Sequence, residues 1–254
     1  MLIALDIGNS FINIGFFTEK GLFVRKIETY PIKPYERYTS LLRDFLAEIS
    51  IEKNTHEVII SSVVTSHTEV LTKACRDLMP EDLLIVGPEV KTGLVFDIPK
   101  PEELGSDRIA NSVASYELYK ETVAVVDFGT ATTISVIGKD AHFIGGAILP
   151  GVGLMNESLA KGTSRLSEVV LRPPKSALGT DTSGCIQSGL FYGTAGAVER
   201  LLEEIEKEVG FGLKVVVTGG FSYIISKFLK RGHDLRPNLT LEGLKIIYMR
   251  NRSE

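Results

Sequence analysis

The stretch Val123-Ala124-Val125-Val126-Asp127-Phe128-Gly129-Thr130-Ala131-Thr132-Thr133 decides the fold. Apolar β-formers lead into an Asp-x-Gly turn rich in hydroxyls, and a second apolar run reaches Ile137. That order reads as a β-hairpin whose turn carries an aspartate and a glycine. The same shape opens the chain as Leu2-Ile3-Ala4-Leu5-Asp6-Ile7-Gly8-Asn9-Ser10, followed by the apolar-rich run Phe11 to Phe17. A single echo at this distance is not a solenoid. It divides the chain into two related halves, residues 1–114 and 115–254.

Working outward, residues 22–28 predict a third strand. Tyr38, Leu41, Leu42, Phe45, Leu46 and Ile49 recur at helical spacing and predict an amphipathic helix. Val58 to Val64 reads as a short buried strand. Val70, Leu71, Ala74, Cys75 and Leu78 mark a second helix, stopped by Pro80. Leu83 to Val86 is a further strand. The second half predicts strands near 123–126, 132–137 and 142–148, then a helix carrying Ala195, Val198, Leu201, Leu202, Ile205 and Val209. The strand Leu213 to Val217 runs into Thr218-Gly219-Gly220, and Leu239 to Met249 fits helix and strand alike. Hairpins followed by helix–strand alternation imply an α/β fold with mixed sheets covered by helices. Two such units side by side leave a cleft, the usual place for a ligand. Residues 105–120 connect the halves without a Pro/Gly/Ser linker.

Composition narrows the class. Of 254 residues, 44% are hydrophobic and 24% charged, the proportions of a folded chain. Lys and Arg total 28 against 32 Asp and Glu, a formal charge of −4, so the overall basic footprint of a nucleic-acid or anionic-membrane binder is absent. No apolar run reaches the ~18 residues of a membrane span, and Met1 to Asp6 reads as a strand rather than a signal peptide. Two cysteines, Cys75 and Cys185, exclude a disulfide scaffold and a zinc ribbon. The expected location is the cytoplasm. His56, His67, His142 and His233 lack ligand spacing and are expected on surfaces or loops, while Cys75 and Cys185 are read as packing residues.

Four segments carry candidate chemistry. In Asp6-Ile7-Gly8-Asn9-Ser10 the glycine lets backbone N–H groups approach an anion, and Asp6 can hold a water on Mg²⁺. A plain hairpin turn explains the same residues, since Gly and Asn favour positive φ. The second turn, at Asp127 to Thr133, repeats the pattern. Thr132 and Thr133 also suit a strand, whereas Thr130 sits at the turn itself. The glycines after Thr218 allow close approach to a ring or ribose; a strand-to-helix turn is the plainer alternative. In Gly105-Ser106-Asp107-Arg108, Asp107 can accept a hydroxyl proton and aim the oxygen, with Arg108 keeping it ionised. Ser106 or Asp107 can equally N-cap a helix whose inner face holds Ile109, Val113 and Ala114. Gly145-Gly146-Ala147-Ile148-Leu149-Pro150-Gly151 lacks the Lys-Ser/Thr of a Walker A loop and reads as a strand-to-helix turn.

Together the Asp-x-Gly-Asn-Ser, Asp-x-Gly-Thr-Ala-Thr-Thr and Thr-Gly-Gly turns resemble the phosphate-1, phosphate-2 and adenosine elements of the acetate/sugar kinase, Hsp70 and actin superfamily. Within it the chain resembles the type III pantothenate kinases. Gly105 to Arg108, Gly145 to Gly151, Gly179-Thr180-Asp181-Thr182 with Gly189, and Leu241-Glu242-Gly243-Leu244 extend the likeness over nearly the whole chain. The resemblance implies two ribonuclease H-like domains, each a mixed sheet flanked by helices, with a cleft between them. It implies ATP-dependent phosphorylation of pantothenate to 4′-phosphopantothenate, the first step of coenzyme A biosynthesis, with Asp107 as the catalytic residue. ATP is then held by Asp6, Ile7, Gly8, Asn9, Ser10, Phe11, Ile12 and Asn13, with Gly129, Thr130, Thr132 and Gly219. Pantothenate is held by Gly105, Ser106, Asp107, Arg108 and Thr182. The implied metals are Mg²⁺, near Asp6 through water, and a monovalent cation, K⁺ or NH₄⁺, at Asp127. A homodimer completes the expectation. The chain departs from the family in having Ser106 where alanine is usual, and in Val95-Phe96-Asp97-Ile98-Pro99-Lys100-Pro101, which lacks a tyrosine often found before Gly-x-Asp-Arg. The alternative is a regulatory accessory factor of the same family acting in transcription, in which catalysis is incidental.

Overall fold

The computed structural model describes residues 1–49, 57–78, 83–87 and 89–252. His56 and Pro80, both named above, lie outside them. The described chain falls into two compact units: Met1–Leu94 with Pro99–Ala114 and Leu239–Glu254, and Val95–Ile98 with Ser115–Asn238.

The first unit contains strands β1 (Leu2–Ile7), β2 (Phe11–Thr18), β3 (Gly21–Glu28), β4 (Glu57–Ser62) and β5 (Leu83–Ile85), with helices α1 (Tyr35–Glu48) and α2 (Thr65–Leu78). Its sheet runs β3-β2-β1-β4-β5, antiparallel through β3, β2 and β1 and parallel from β1 to β5. Side chains alternate across a strand. Ile3, Leu5 and Ile7 therefore join Ile12, Ile14, Phe16, Val58 and Ile60 on one face, sealed with Tyr38, Leu42, Leu71 and Cys75 of the two helices. Each such burial is worth roughly 1.5–3 kcal/mol.

The second unit contains β6 (Val95–Phe96), β7 (Val123–Phe128), β8 (Ala131–Ile137), β9 (His142–Pro150), β10 (Lys214–Thr218) and β11 (Asp234–Leu235). Its sheet runs β11-β10-β7-β8-β9-β6. Read from β9, the order 9-8-7-10-11 repeats the 3-2-1-4-5 order of the first sheet, so the sequence echo is a repeat of topology. Helices α3 (Ser106–Tyr119), α4 (Val152–Gly162), α5 (Thr182–Val209), the short α6 (Ser222–Ile225) and α7 (Leu239–Asn251) complete the chain. Ala124, Val126, Phe128, Ile134, Val136, Val215 and Val217 pack with Val152, Phe191, Val198 and Leu202 as the second core. Asp181 caps α5, accepting from Gly184 N at 2.6 Å, and Gly210 closes it in the left-handed conformation.

Several expectations change. The ambiguous C-terminal stretch is helix α7, and it packs in the first unit although it lies in the second half of the sequence. Leu241 reaches Gly15 on β2, and α7 crosses α3 where Gly243 meets Ala110. Gly145 and Gly146 lie inside β9 rather than in a turn; φ at Gly145 is +150°, beside a register shift at Val136 and Ile137. Only Gly151 forms the turn into α4. His67 is not on the surface but wholly buried, and Cys185 is exposed rather than packed. Among the described residues no helix is long and apolar enough to cross a membrane.

Candidate active site

The first Asp-x-Gly turn joins β1 to β2. Gly8 N–H donates to Phe11 O at 3.0 Å, and no residue from Gly8 to Ser10 has a positive φ. The primed-turn explanation therefore does not apply. Glycine is needed for space: a Cβ at Gly8 would lie 3.1 Å from Phe11 O. Asn9, Ser10 and Phe11 are exposed, while the side chains of Ile7 and Ile12 are core, so those two offer a ligand only their backbone. Asp6 accepts from Asn13 Nδ2 at 3.1 Å. Register sets Asp6 opposite Asn13 on β2 and Ser61 on β4, and Asn13 opposite Lys26 on β3. Partners in register share a face. Ser61, Asp6, Asn13 and Lys26 thus form one polar row, and the Lys26 ammonium lies 3.7 Å from the centre of the Phe11 ring.

Gly105 to Arg108 is brought to the same unit. Ser106 opens α3, and its hydroxyl lies 2.9 Å from Ser61 Oγ, accepts from Ser62 N at 3.0 Å and donates to Ser62 O at 3.2 Å. With Ser61 as donor, all three capacities of that hydroxyl are used. Ser106 is thus a rivet between the start of α3 and the end of β4. Its hydroxyl does not cap the helix. Asp107 does part of that work, its Oδ1 accepting from Arg108 N at 2.8 Å. A Cβ at Gly105 would lie 2.5 Å from Asp107 Oδ1, so glycine leaves room for the carboxylate. Burial pushes the Asp107 carboxyl above the ordinary carboxylate range, opposed by the Arg108 N–H and guanidinium. A raised carboxyl is a stronger base than an ordinary aspartate. Burial lowers the Arg108 guanidinium, and Asp107 counters that.

The second turn joins β7 to β8. Asp127 lies in register with Thr218 on β10 and Thr133 on β8, as Asp6 does with Ser61 and Asn13. Gly219, at φ +97°, fits where a Cβ would strike Asp127 Oδ1 and come within 2.6 Å of Phe128 N and C. Phe221 N donates to Phe128 O at 3.0 Å. The Thr-Gly-Gly turn is therefore clamped onto the Asp-x-Gly turn. Gly151, which sequence reasoning gave only a turn role, donates to Thr130 O at 3.0 Å, and a Cβ there would lie 2.8 Å from Thr130 C. Thr130 is half-buried; Thr132 is 1% exposed, its Oγ1 without a hydrogen-bond partner. Thr182 is exposed at the first position of α5. The tyrosine-free segment forms β6, where Asp97 pairs with His142 at 2.5 Å.

Sequence reasoning missed Ser61, Lys26 and Thr29, whose signals are their registers and bonds. Thr29 is fully buried, and its Oγ1 donates to Gly8 O at 2.7 Å. Among the described residues no three His, Cys, Asp or Glu side chains gather as a metal cage. The oxygen atoms around Asp6 and Asp127 instead suit a hard cation held mainly by its ligand and waters.

The sequence profile of the type III pantothenate kinase family matches residues 2–204. A protein of Anaeromyxobacter dehalogenans (strain 2CP-C) called "Type III pantothenate kinase" is 37% identical over 256 residues, covering 99% of this chain and all of that one. Among solved structures, a conserved putative Baf family transcriptional activator from Campylobacter jejuni covers 98% of each chain with a TM-score of 0.62 at 22% identity. The activator of 2-hydroxyisocaproyl-CoA dehydratase from Clostridium difficile, solved with bound ADPNP, covers 97% of this chain and 93% of that one with a TM-score of 0.55 at 11% identity. Those two likenesses establish the ATPase-type fold and nothing finer. With the profile spanning most of the chain and a relative matched end to end, this protein belongs to the type III pantothenate kinase family.

Proposed function

We propose that this chain transfers the γ-phosphoryl group of ATP to the primary hydroxyl of pantothenate, giving 4′-phosphopantothenate for coenzyme A synthesis. The observation that carries the reading is the Ser61–Ser106 bond, which ties the Asp107 segment to the strand beside Asp6. A base and an anion-holding turn then share one rigid scaffold, at the carboxyl ends of parallel strands where such folds bind ligands.

The pantothenate hydroxyl oxygen attacks the γ-phosphorus in line. A new O–P bond forms, the bond to the β–γ bridging oxygen breaks, and the hydroxyl proton passes to the Asp107 carboxylate. Its raised pKa suits it to that task. Arg108 and the Gly105–Ser106 backbone hold the acceptor, with Thr182. The first turn, Asp6 to Asn13, and Gly129, Thr130, Thr132 and Gly219 bind the nucleotide through backbone N–H groups and hydroxyls. Mg²⁺ and a monovalent cation, K⁺ or NH₄⁺, supply charge neutralisation at the phosphates; Asp6 through water and Asp127 are the residues that would hold them. The reading places the chain in the cytoplasm, where ATP is available, and as a homodimer on the family resemblance.

The test is ADP formation by the purified chain with and without pantothenate. Turnover that depends on pantothenate and yields its monophosphate supports the reading. Pantothenate-independent hydrolysis, or none, with ATP still bound would favour the accessory-factor alternative.

A further inference from the structure

We propose that His67 is a positioning residue: acting through Thr29, it sets the orientation of the Gly8–Ser10 turn and thereby its affinity for the nucleotide's phosphates. The inference rests on the nucleotide role given to that turn above. Phosphoryl transfer as described leaves His67 without a task, yet it is 0% exposed in the first turn of α2. Its ring meets Tyr30 edge to face, with centroids 5.1 Å apart. Nε2 lies 2.7 Å from Thr29 O. A carbonyl only accepts, so Nε2 carries a proton and donates. Nδ1 lies 3.3 Å from Ser66 Oγ.

Thr29, itself 0% exposed just beyond β3, works in three directions. Its Oγ1 donates to Gly8 O at 2.7 Å, its N–H donates to Ser10 O at 3.1 Å, and its carbonyl accepts from His67. One residue thus draws two carbonyls of the turn toward itself. In a planar trans peptide the C=O and the following N–H point opposite ways. Anchoring Gly8 O therefore turns the Asn9 N–H away from Thr29, on the exposed tip of the turn. Carbonyl oxygens repel a phosphate and N–H groups attract it, so Thr29 sets the polarity of the turn. His67 braces Thr29 from behind: without the imidazole a buried carbonyl loses its donor, and the residue relaxes to recover one.

The test uses His67→Leu, His67→Gln, Thr29→Val and Thr29→Ser in the full chain. Each is titrated with a non-hydrolysable ATP analogue plus Mg²⁺ and assayed for both substrates. His67→Leu is expected to weaken analogue binding and raise KM for ATP about 5- to 20-fold, the loss of roughly one buried hydrogen bond. Turnover at saturation and KM for pantothenate stay within about twofold, because α3 is not touched. His67→Gln, whose amide N–H reaches the place of Nε2, recovers most of the affinity. Thr29→Val repeats the defect and Thr29→Ser repairs it. Unchanged nucleotide affinity in folded His67→Leu, with only a lower melting temperature, would overturn the proposal. If His67→Leu does not fold, the threonine pair decides: equal affinity in Thr29→Val and wild type overturns it. Wild-type protein that binds no analogue removes the nucleotide reading itself, a failure seen before any variant is made.

Discussion

Gly243→Ala isolates the packing that holds α3, the helix carrying Asp107. Glycine in a helix interior is ~0.8–1.0 kcal/mol worse than alanine, so at an open position the substitution stabilises. Position 243 is not open. A Cβ there would overlap Ala110 O and lie 2.5 Å from Ala110 C and 3.0 Å from its Cα. Carbon atoms rest near ~3.5 Å, so α7 and α3 must part by about 1 Å. Leu241, Leu244 and Ile247, each at most 3% exposed, move with α7. Overpacking of this kind costs roughly 1–3 kcal/mol and outweighs the propensity gain at all but its lower end. In a chain of this size each kcal/mol moves Tm by about 2–4 °C, so a fall of several degrees is expected. Asp107 rides on α3, one turn before Ala110. A shift near 1 Å at a reacting group can cost ~10²-fold in rate, so kcat is expected to fall more than stability alone would suggest. Calorimetry and steady-state kinetics at 25 °C read both effects. Gly196→Ala, on α5 with nothing within 4 Å, is the control and is expected to raise Tm. A Gly243→Ala protein with a raised Tm and unchanged kcat would refute the reasoning.

Asp107, Gly219 and the two cysteines carry three further predictions. Asp107→Asn is expected to lower kcat by ~10²–10⁴-fold with nucleotide binding retained. The wild-type rate falls on the acid side as pH drops through the raised pKa of Asp107, since only the carboxylate accepts a proton. A carboxyl raised by folding costs stability once ionised, so the same variant melts higher than wild type at neutral pH; a lower Tm would contradict this. Gly219→Ala puts a Cβ into Asp127 and Phe128 at a left-handed φ, and a loss of at least ~2 kcal/mol is expected together with a raised KM for ATP; an unshifted melting curve counts against the clamp. Cys75, whose thiol burial pushes up to about 12, is expected to stay unmodified by a thiol reagent at pH 8 until the chain unfolds, whereas exposed Cys185 reacts at once; two fast thiols would be the wrong result.

The two hairpins were legible because their information is local. Strand, Asp-x-Gly turn and strand are contiguous, and the second copy supports the first. The helices α1 and α2 were legible from apolar spacing. What joins these pieces was not legible. Ser61 matters because β4 runs parallel beside β1 in one register, and a one-residue slip would turn it to the other face. His67 shows no signal, since one histidine in a helical pattern says nothing about a carbonyl at Thr29. The reason for Gly243 lies in Ala110, far away in the chain, and no period of α7 reveals it. The turn into α4 was drawn too wide because β9 continues through Gly145 and Gly146 to Pro150, which leaves Gly151 alone to make it.

The placement of α7 bears on how the protein is made. The first unit begins at Met1, yet Leu239, Leu241, Leu244, Ile247 and Tyr248 are buried within its territory. On the ribosome those side chains emerge after residues 115–238, so the half synthesised earlier waits for its missing helix. The segment 115–238 leaves the exit tunnel as one uninterrupted piece and lacks only the edge strand β6, already synthesised. The amino-terminal unit is thus completed only after the unit that follows it, and a chain cut near residue 238 is expected to keep the 115–238 core intact while the earlier unit loses the helix that buries Leu241, Leu244 and Ile247.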